Sequence, residues 1–286
     1  MITKYPDDNV AYIGFYECVN NDSVAKVLFA KAFEFCKAHE FKSIVGPVDC
    51  SFWIKYRLKI NKFDIQPYTG EPYNKDYYLK QFEDNGYSVC EHYTSQIYKV
   101  LDGNFKNDKF EEHYQEFINK GYKIIKPEQS NVDRVIDEIY DLLIDLYSDF
   151  PIFKYVSKED FKTHFSGLKS IVNMDLVRMV YYEGKAVAFN ISIPNYNNLT
   201  CNINPSKIIK ILNIKKHPKD YVMLYMGVDQ EHRGLGKAIS KSLADELNVL
   251  KKPSIGALTR DGKVSQNYAK EAVESRYEYV LLEKTI

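Results

Sequence analysis

Between Tyr221 and Thr259 the sequence spells a strand, a glycine-bearing loop, a helix and another strand, and this order constrains the fold more than any other feature. Tyr221 to Val228 is an apolar run rich in aromatic and β-branched residues. Ala238 to Leu250 places Ile239, Leu243 and Leu247 on one helical face, and Ser254 to Thr259 reads as a strand again. A helix between two strands brings the second strand back parallel to the first. The first half repeats the pattern. Val10 to Val19 reads as a strand, Asn20-Asn21-Asp22-Ser23 supplies turn and cap chemistry, and Val24, Val27, Leu28, Ala32 and Phe35 recur at helical spacing up to His39. Ser43 to Val48 follows as a strand. The alternation predicts an α/β (α+β) chain with a mixed central sheet flanked by helices.

The remaining segments extend that reading. Asp49 to Lys75 is irregular, punctuated by Pro67, Gly70 and Pro72; Lys75 to Asn85 predicts a helix ending at Gly86, and Tyr87 to Val100 an antiparallel strand. The charged, Asn-rich stretch Leu101 to Lys120, partly helical by its pattern, is the expected boundary between two domains, 1–110 and 121–286. The second half opens with a strand, Tyr122 to Ile125. A helix follows with Val132, Val135, Ile139 and Leu143 on one face, ending before Pro151, and then a helix over Lys158 to Leu168. Strands Leu176 to Tyr182 and Ala186 to Ile193 flank a turn at Glu183-Gly184-Lys185. After a polar stretch around Pro205 and the segment already described, a helix over Ser265 to Glu274 and a strand over Tyr277 to Glu283 are expected.

Charge and cysteine content exclude several roles. Among 286 residues, 39 Lys and Arg balance 39 Asp and Glu, so the basic excess of a nucleic-acid or anionic-membrane binder is missing and neither partner is expected. The five cysteines are odd in number and form no CxxC, which argues against a disulfide framework or zinc ribbon and for a reducing compartment. Six histidines without HExxH spacing predict no metal site. Met1 to Asp8 lacks signal-peptide character and no apolar run reaches transmembrane length, so a cytoplasmic location is expected.

The loop before Ala238 carries the chemistry. A helix N-terminus presents free N–H groups and a positive dipole end, Gly234 and Gly236 allow close backbone approach, and Arg233 and Lys237 add charge, which suits a diphosphate. Gly234-Leu235-Gly236-Lys237-Ala238-Ile239 lacks the third glycine of a dinucleotide fingerprint, and no GxxxxGK[ST] is present. The run Arg233 to Ala238 instead fits Arg-x-x-Gly-x-Ala. In this it resembles the GNAT superfamily of acyl-CoA-dependent N-acyltransferases, whose [Q/R]xxGx[G/A] loop wraps the pyrophosphate of coenzyme A; the resemblance covers about residues 121 to 286.

That resemblance implies acetyl-CoA as co-substrate, bound by Arg233, Gly234, Leu235, Gly236, Lys237, Ala238 and Asn267. The strand residues Met226, Gly227 and Val228 would pair with the pantetheine and supply an oxyanion-stabilising N–H. It implies transfer of an acetyl group to an amine of a small molecule or peptide. The family's acid, a Tyr after an Asn on the last helix, is matched by Tyr268 next to Asn267, although counting four residues back from Arg276-Tyr277 gives Ala272; Glu274 or no residue are the alternatives. The first half resembles a truncated copy of the same fold, with Ile44-Val45-Gly46-Pro47 and Pro72-Tyr73-Asn74-Lys75-Asp76-Tyr77-Tyr78. Its loop, Cys18 to Ser23, has no glycine and an acid, so this copy is expected to be degenerate and without coenzyme A. Phe52, Trp53, Tyr56 and Phe63 are either acceptor-pocket residues or loop anchors, His232 faces solvent or phosphate, and the lysines from Lys207 to Lys219 form a solvated face. Oligomeric state is not legible. A non-catalytic acyl-CoA-binding protein and an interaction protein stand as the rival roles.

Overall fold

The computed structural model describes residues 1–5, 9–148, 152–201 and 204–286. The first half contains β1 (Ile2–Thr3), β2 (Val10–Ile13), α1 (Asp22–Ala38), β3 (Ser43–Gly46), the short strands β4 (Val48–Asp49), β5 (Lys55–Tyr56) and β6 (Leu58–Lys59), α2 (Tyr78–Asp84) and β7 (Ser88–Tyr98). Next come α3 (Asp108–Asn119), β8 (Lys123–Ile125), α4 (Val132–Tyr147), α5 (Lys158–Phe165), α6 (Leu168–Ile171), β9 (Arg178–Tyr182) and β10 (Lys185–Pro194). The last elements are α7 (Pro205–Lys216), β11 (Tyr221–Val228), α8 (Leu235–Leu250), β12 (Ser254–Arg260) and β13 (Val273–Thr285).

Among the described residues, one mixed sheet of eleven strands runs in the order β1-β2-β3-β13-β7-β12-β11-β10-β9-β8, with β6 added to β13. The helices α1 and α8 each connect a parallel pair, β2 to β3 and β11 to β12. The two halves exchange their last strands. β13 lies between β3 and β7, and β7 pairs on its other edge with β12. The sheet therefore passes from one half into the other, and the segment 101–120 carries α3 beside it. Alternation along the strands sorts the side chains by face: Val180 and Ala188 join the cluster under α8, Met179 and Phe189 the one under α4. Leu235, Ile239, Leu243 and Leu247 anchor α8, each burial contributing about 1.5–3 kcal/mol.

Three expectations are corrected. The first strand ends at Ile13 rather than Val19. A side chain on Gly14 would lie 1.9 Å from the Val48 carbonyl oxygen, and Phe15, at φ +48°, donates its N–H to Asp49 Oδ1 at 2.6 Å, so a tertiary contact turns the chain. The helix expected over Ser265 to Glu274 is replaced by single turns, Val264–Asn267 and Lys270–Ala272, with Ala269 between them at φ +48°. The β7 side chains compete for this segment: Gln96 Nε2 donates to the Gln266 carbonyl at 2.7 Å, and Gln266 Nε2 donates to Thr94 Oγ1 at 3.1 Å. The polar stretch around Pro205 is the helix α7, capped by Asn204 with Pro205 in its first turn. α4 ends at Tyr147, before Pro151 as expected. The β9–β10 hairpin turns through Glu183 and Gly184, both at positive φ as its two-residue loop requires. Among the described residues, no helix is long and apolar enough to cross a membrane.

Candidate functional site

β11 and β12 pair only at their beginnings, Tyr221 with Ser254, Val222 with Ile255 and Met223 with Gly256. There both strands break register with their outer neighbours. On β11, Leu224 is inserted between Met223 and Tyr225, which pair with the consecutive residues Ser192 and Ile191 of β10. On β12, Ala257 and Leu258 together oppose Ser95 of β7, with Leu258 in the left-handed region at φ +55°. Bulges bend the strands that carry them, and two on facing strands open a wedge. From Leu224 to Val228 the β12-facing edge of β11 has no strand partner among the described residues, so its backbone groups can pair with a ligand as with an added strand.

A buried hydrogen-bonded chain fixes the bulge on β12. The Leu258 N–H donates to Ser95 Oγ at 2.8 Å, and Ser95 Oγ lies 2.8 Å from the Tyr68 hydroxyl. Tyr68 in turn meets the Tyr279 hydroxyl at 3.1 Å, which donates to Glu71 Oε1 at 2.7 Å. Glu71 Oε1 lies 2.9 Å from Lys59 Nζ, and neither side chain is exposed. Burial pushes the Glu71 carboxyl above the usual range, against the pull of Lys59.

A cavity of about 710 Å³ follows the wedge through the sheet. On the α8 face it is lined by Ser240, Leu243, Ala244, Tyr268 and Ala272, and on the α4 face by Trp53, Tyr147 and Tyr225. Met226, Gly227 and Val228 line it as well, so those three strand residues and Tyr268 come together. Gly227 is tightly enclosed, since a Cβ there would stand 2.6 Å from Phe189 and 2.7 Å from Leu146.

The loop residues are placed differently. Leu235 and Ala238 are fully buried in the core under α8, and Arg233, Gly234, Gly236, Lys237 and Asn267 are not part of the cavity lining. Gly234 is the N-cap of α8 at φ +105°, with no side-chain cap and no acid in the first turn. The contrast with α1 is chemical: there Asn21 accepts from the Val24 N–H and Asp22 occupies the first turn, so that helix satisfies its own N-terminus. The glycines in the α8 loop also serve the packing. A Cβ on Gly234 would stand 3.2 Å from Phe117 of α3, and one on Gly236 would stand 2.7 Å from the Tyr268 hydroxyl. Their small size admits aromatic rings. Lys237 Nζ lies 3.4 Å from His113 Nε2 on the same helix α3, while Arg233 is exposed.

Burial raises the Tyr268 phenol above its ordinary value, which keeps it protonated at neutral pH. His232 Nδ1 lies 2.7 Å from the Tyr122 hydroxyl and its ring packs on Tyr182, so it neither faces solvent freely nor lines the cavity. Phe52, Trp53 and Tyr56 line the cavity and Phe63 does not. Trp53 is also an anchor, donating from Nε1 to the Lys154 carbonyl at 2.8 Å. Four of the five lysines between Lys207 and Lys219 sit on or at the end of α7. Arg57 escapes a sequence reading: it lies in the aperiodic stretch after β3, and only the fold carries it to the cavity wall.

No protein-family model matches the sequence, and no curated protein matches it either. Solved structures do match. A GCN5-related N-acetyltransferase from Sphaerobacter thermophilus aligns over 96% of this chain and 73% of its own at 9% identity, with a TM-score of 0.51. A tandem GNAT protein from the clavulanic acid biosynthesis pathway aligns over 98% of this chain and 76% of its own at 10% identity and a TM-score of 0.47. The C-terminal domain of a lysylphosphatidylglycerol synthetase from Agrobacterium fabrum covers 96% and 77% at 11% identity and a TM-score of 0.40. At such identities the likeness establishes the GNAT-like fold, and the reaction has to be argued from the site.

Proposed function

We propose that the chain is an acyltransferase that moves an acetyl group from acetyl-CoA to a primary amine by direct attack within a ternary complex. The observation that carries this reading is the wedge between β11 and β12, with its open strand edge and a cavity that joins the two faces of the sheet. The thioester supplies the activated acyl group. Backbone groups of β11 from Leu224 to Val228 hold the extended pantetheine, and an N–H near Met226 or Val228 stabilises the negative charge that develops on the thioester oxygen. The uncapped N-terminus of α8, with Arg233 and Lys237, suits the diphosphate, although Phe117 and Tyr268 cover its glycine faces. The amine attacks in its neutral form and its surplus proton leaves to water.

Tyr268 is assigned the proton donor to the departing thiolate, because its half-buried, protonated hydroxyl reaches both the cavity and the α8 N-terminus. Tyr268→Phe should lower turnover by about 10- to 100-fold with the dissociation constant for acetyl-CoA unchanged, at the lower end of typical general acid catalysis. Steady-state thiol release and a binding titration check this; an unaltered rate removes Tyr268 from the mechanism. The aromatic cover over the glycines favours a second reading, a cavity that binds an acyl thioester without turning it over. Thiol release from acetyl-CoA in the presence of a broad amine panel separates the two, since turnover with any member excludes passive binding.

A further inference from the structure

We infer that the α4-face end of the cavity is a carboxylate-binding subsite built on Arg57, so that the acceptor is an amine bearing a carboxylate and an apolar body. The acyl-transfer reading supplies the amine, whereas the anion subsite rests on the geometry of Arg57 alone. Arg57 is 7% exposed and lines the cavity. Its guanidinium lies between two rings, 3.9 Å from the centre of Tyr56 and 4.1 Å from that of Tyr93. Among the described residues its side chain donates one hydrogen bond, from Nη2 to the Tyr56 hydroxyl, and no carboxylate pairs with it. Nε is buried and has no hydrogen-bond partner among the described residues.

A buried arginine ordinarily has a carboxylate or phosphate on its fork, and one without it is a charge removed from water with incomplete compensation. The surrounding phenols cannot neutralise it. Burial raises Tyr56, Tyr93 and Tyr225, leaving them as neutral hydroxyls. The backbone adds a second sign of constraint, because Arg57 holds φ at +86°, where an L residue is strained and persists only if its surroundings fix it. Lys55 and Arg260 also line the cavity, but Asp49 and Glu91 neutralise them, so Arg57 presents a single uncompensated positive charge that matches one negative charge. A dianionic phosphate monoester would leave half its charge unpaired among Phe52, Trp53 and Tyr147.

Trp53 is the only tryptophan and lines the same end of the cavity, so its fluorescence reports occupancy without any acyl donor. The probes are 3-phenylpropionate, its uncharged amide and phenyl phosphate, titrated into the full chain and into Arg57→Met. The expected result is preference of the wild type for the carboxylate over the amide by about 10- to 100-fold, the range of a charge-assisted hydrogen bond, and loss of that preference in the variant. Phenyl phosphate should bind more weakly than the carboxylate. Arg57→Met should melt at a higher temperature, having lost an unpaired buried charge. If it fails to fold, Arg57→Lys, which keeps the charge and loses the fork, carries the same comparison with a weakened preference. No preference in the wild type, a preference that persists without Arg57, or tighter binding of phenyl phosphate overturns the assignment. Acetylation of amino acids is assayed separately: its absence beside an intact carboxylate preference counts against acyl transfer and leaves the subsite standing.

Discussion

Lys59→Met is expected to lower the free energy of unfolding by about 3–5 kcal/mol, the usual result of removing one partner of a buried ion pair. Lys59 Nζ and Glu71 Oε1 are 2.9 Å apart with both side chains unexposed, so the variant leaves a carboxylate inside the protein with no cation. The Tyr279 hydroxyl and the Tyr68 N–H remain as donors to Glu71, which is why the loss stays within this range. Urea denaturation at neutral pH measures it. Replacing both partners, as Lys59→Met with Glu71→Leu, should be less damaging than the single change, since no bare charge then remains. The pH dependence has a definite sign. Burial already holds the Glu71 carboxyl above the usual range, so the folded state keeps its proton more tightly than the unfolded chain. Without Lys59 that value rises further, so the deficit of Lys59→Met is largest at neutral pH and shrinks as pH falls from the variant's value towards the raised value of the wild type. A deficit independent of pH would show that Glu71 is not the group left exposed to the loss.

The second large effect concerns the α8 N-terminus. Gly236→Val should weaken acetyl-CoA binding by at least about 100-fold, close to 3 kcal/mol, and abolish thiol release. The cause differs from simple blockage of a phosphate cradle: the new Cβ would stand 2.7 Å from the Tyr268 hydroxyl, so the ring must leave its place. Gly236 needs no positive φ and Val is no worse than Gly inside a helix, so the loss of stability comes from the displaced ring and should be about 1–3 kcal/mol, the usual cost of overpacking. The variant Gly236→Val with Tyr268→Ala separates the causes. Recovered binding would assign the whole effect to the displaced ring, and continued loss would place the donor against the helix terminus itself.

The elements that obey local rules were legible in the sequence. β11 coincides with its apolar run, α8 follows its Ile239, Leu243 and Leu247 spacing, and the hairpin at Glu183-Gly184 needs only the φ preference of its turn. What was not legible depends on contacts between distant segments. The first strand stops at Ile13 because Gly14 abuts Val48. The segment after Lys263 is not a helix because Gln96 and Thr94 of β7 compete for Gln266, so no helical register places Tyr268. Tyr268 nonetheless reaches the cavity. The exchange of β7 and β13 between the halves has no signature in composition, since either strand would satisfy its pattern beside either neighbour. The glycines at 234 and 236 suit close approach of a phosphate, and the same absence of a side chain serves Phe117 and Tyr268. Small size is a permission that a sequence records without naming what uses it. Arg57 is the clearest case of a cavity residue without a sequence signal, because its place between Tyr56 and Tyr93, away from any carboxylate among the described residues, exists only once the chain is folded.

The central claim is that an acyl thioester lies in the wedge between β11 and β12. Calorimetric titration of the wild-type chain with acetyl-CoA and, separately, with S-acetylpantetheine tests it most directly, because the second ligand keeps the acyl arm and lacks the nucleotide. The account predicts one site per chain for each, weaker for S-acetylpantetheine, with the two competing. Absence of binding by both, or two ligands that bind without competing, would contradict it.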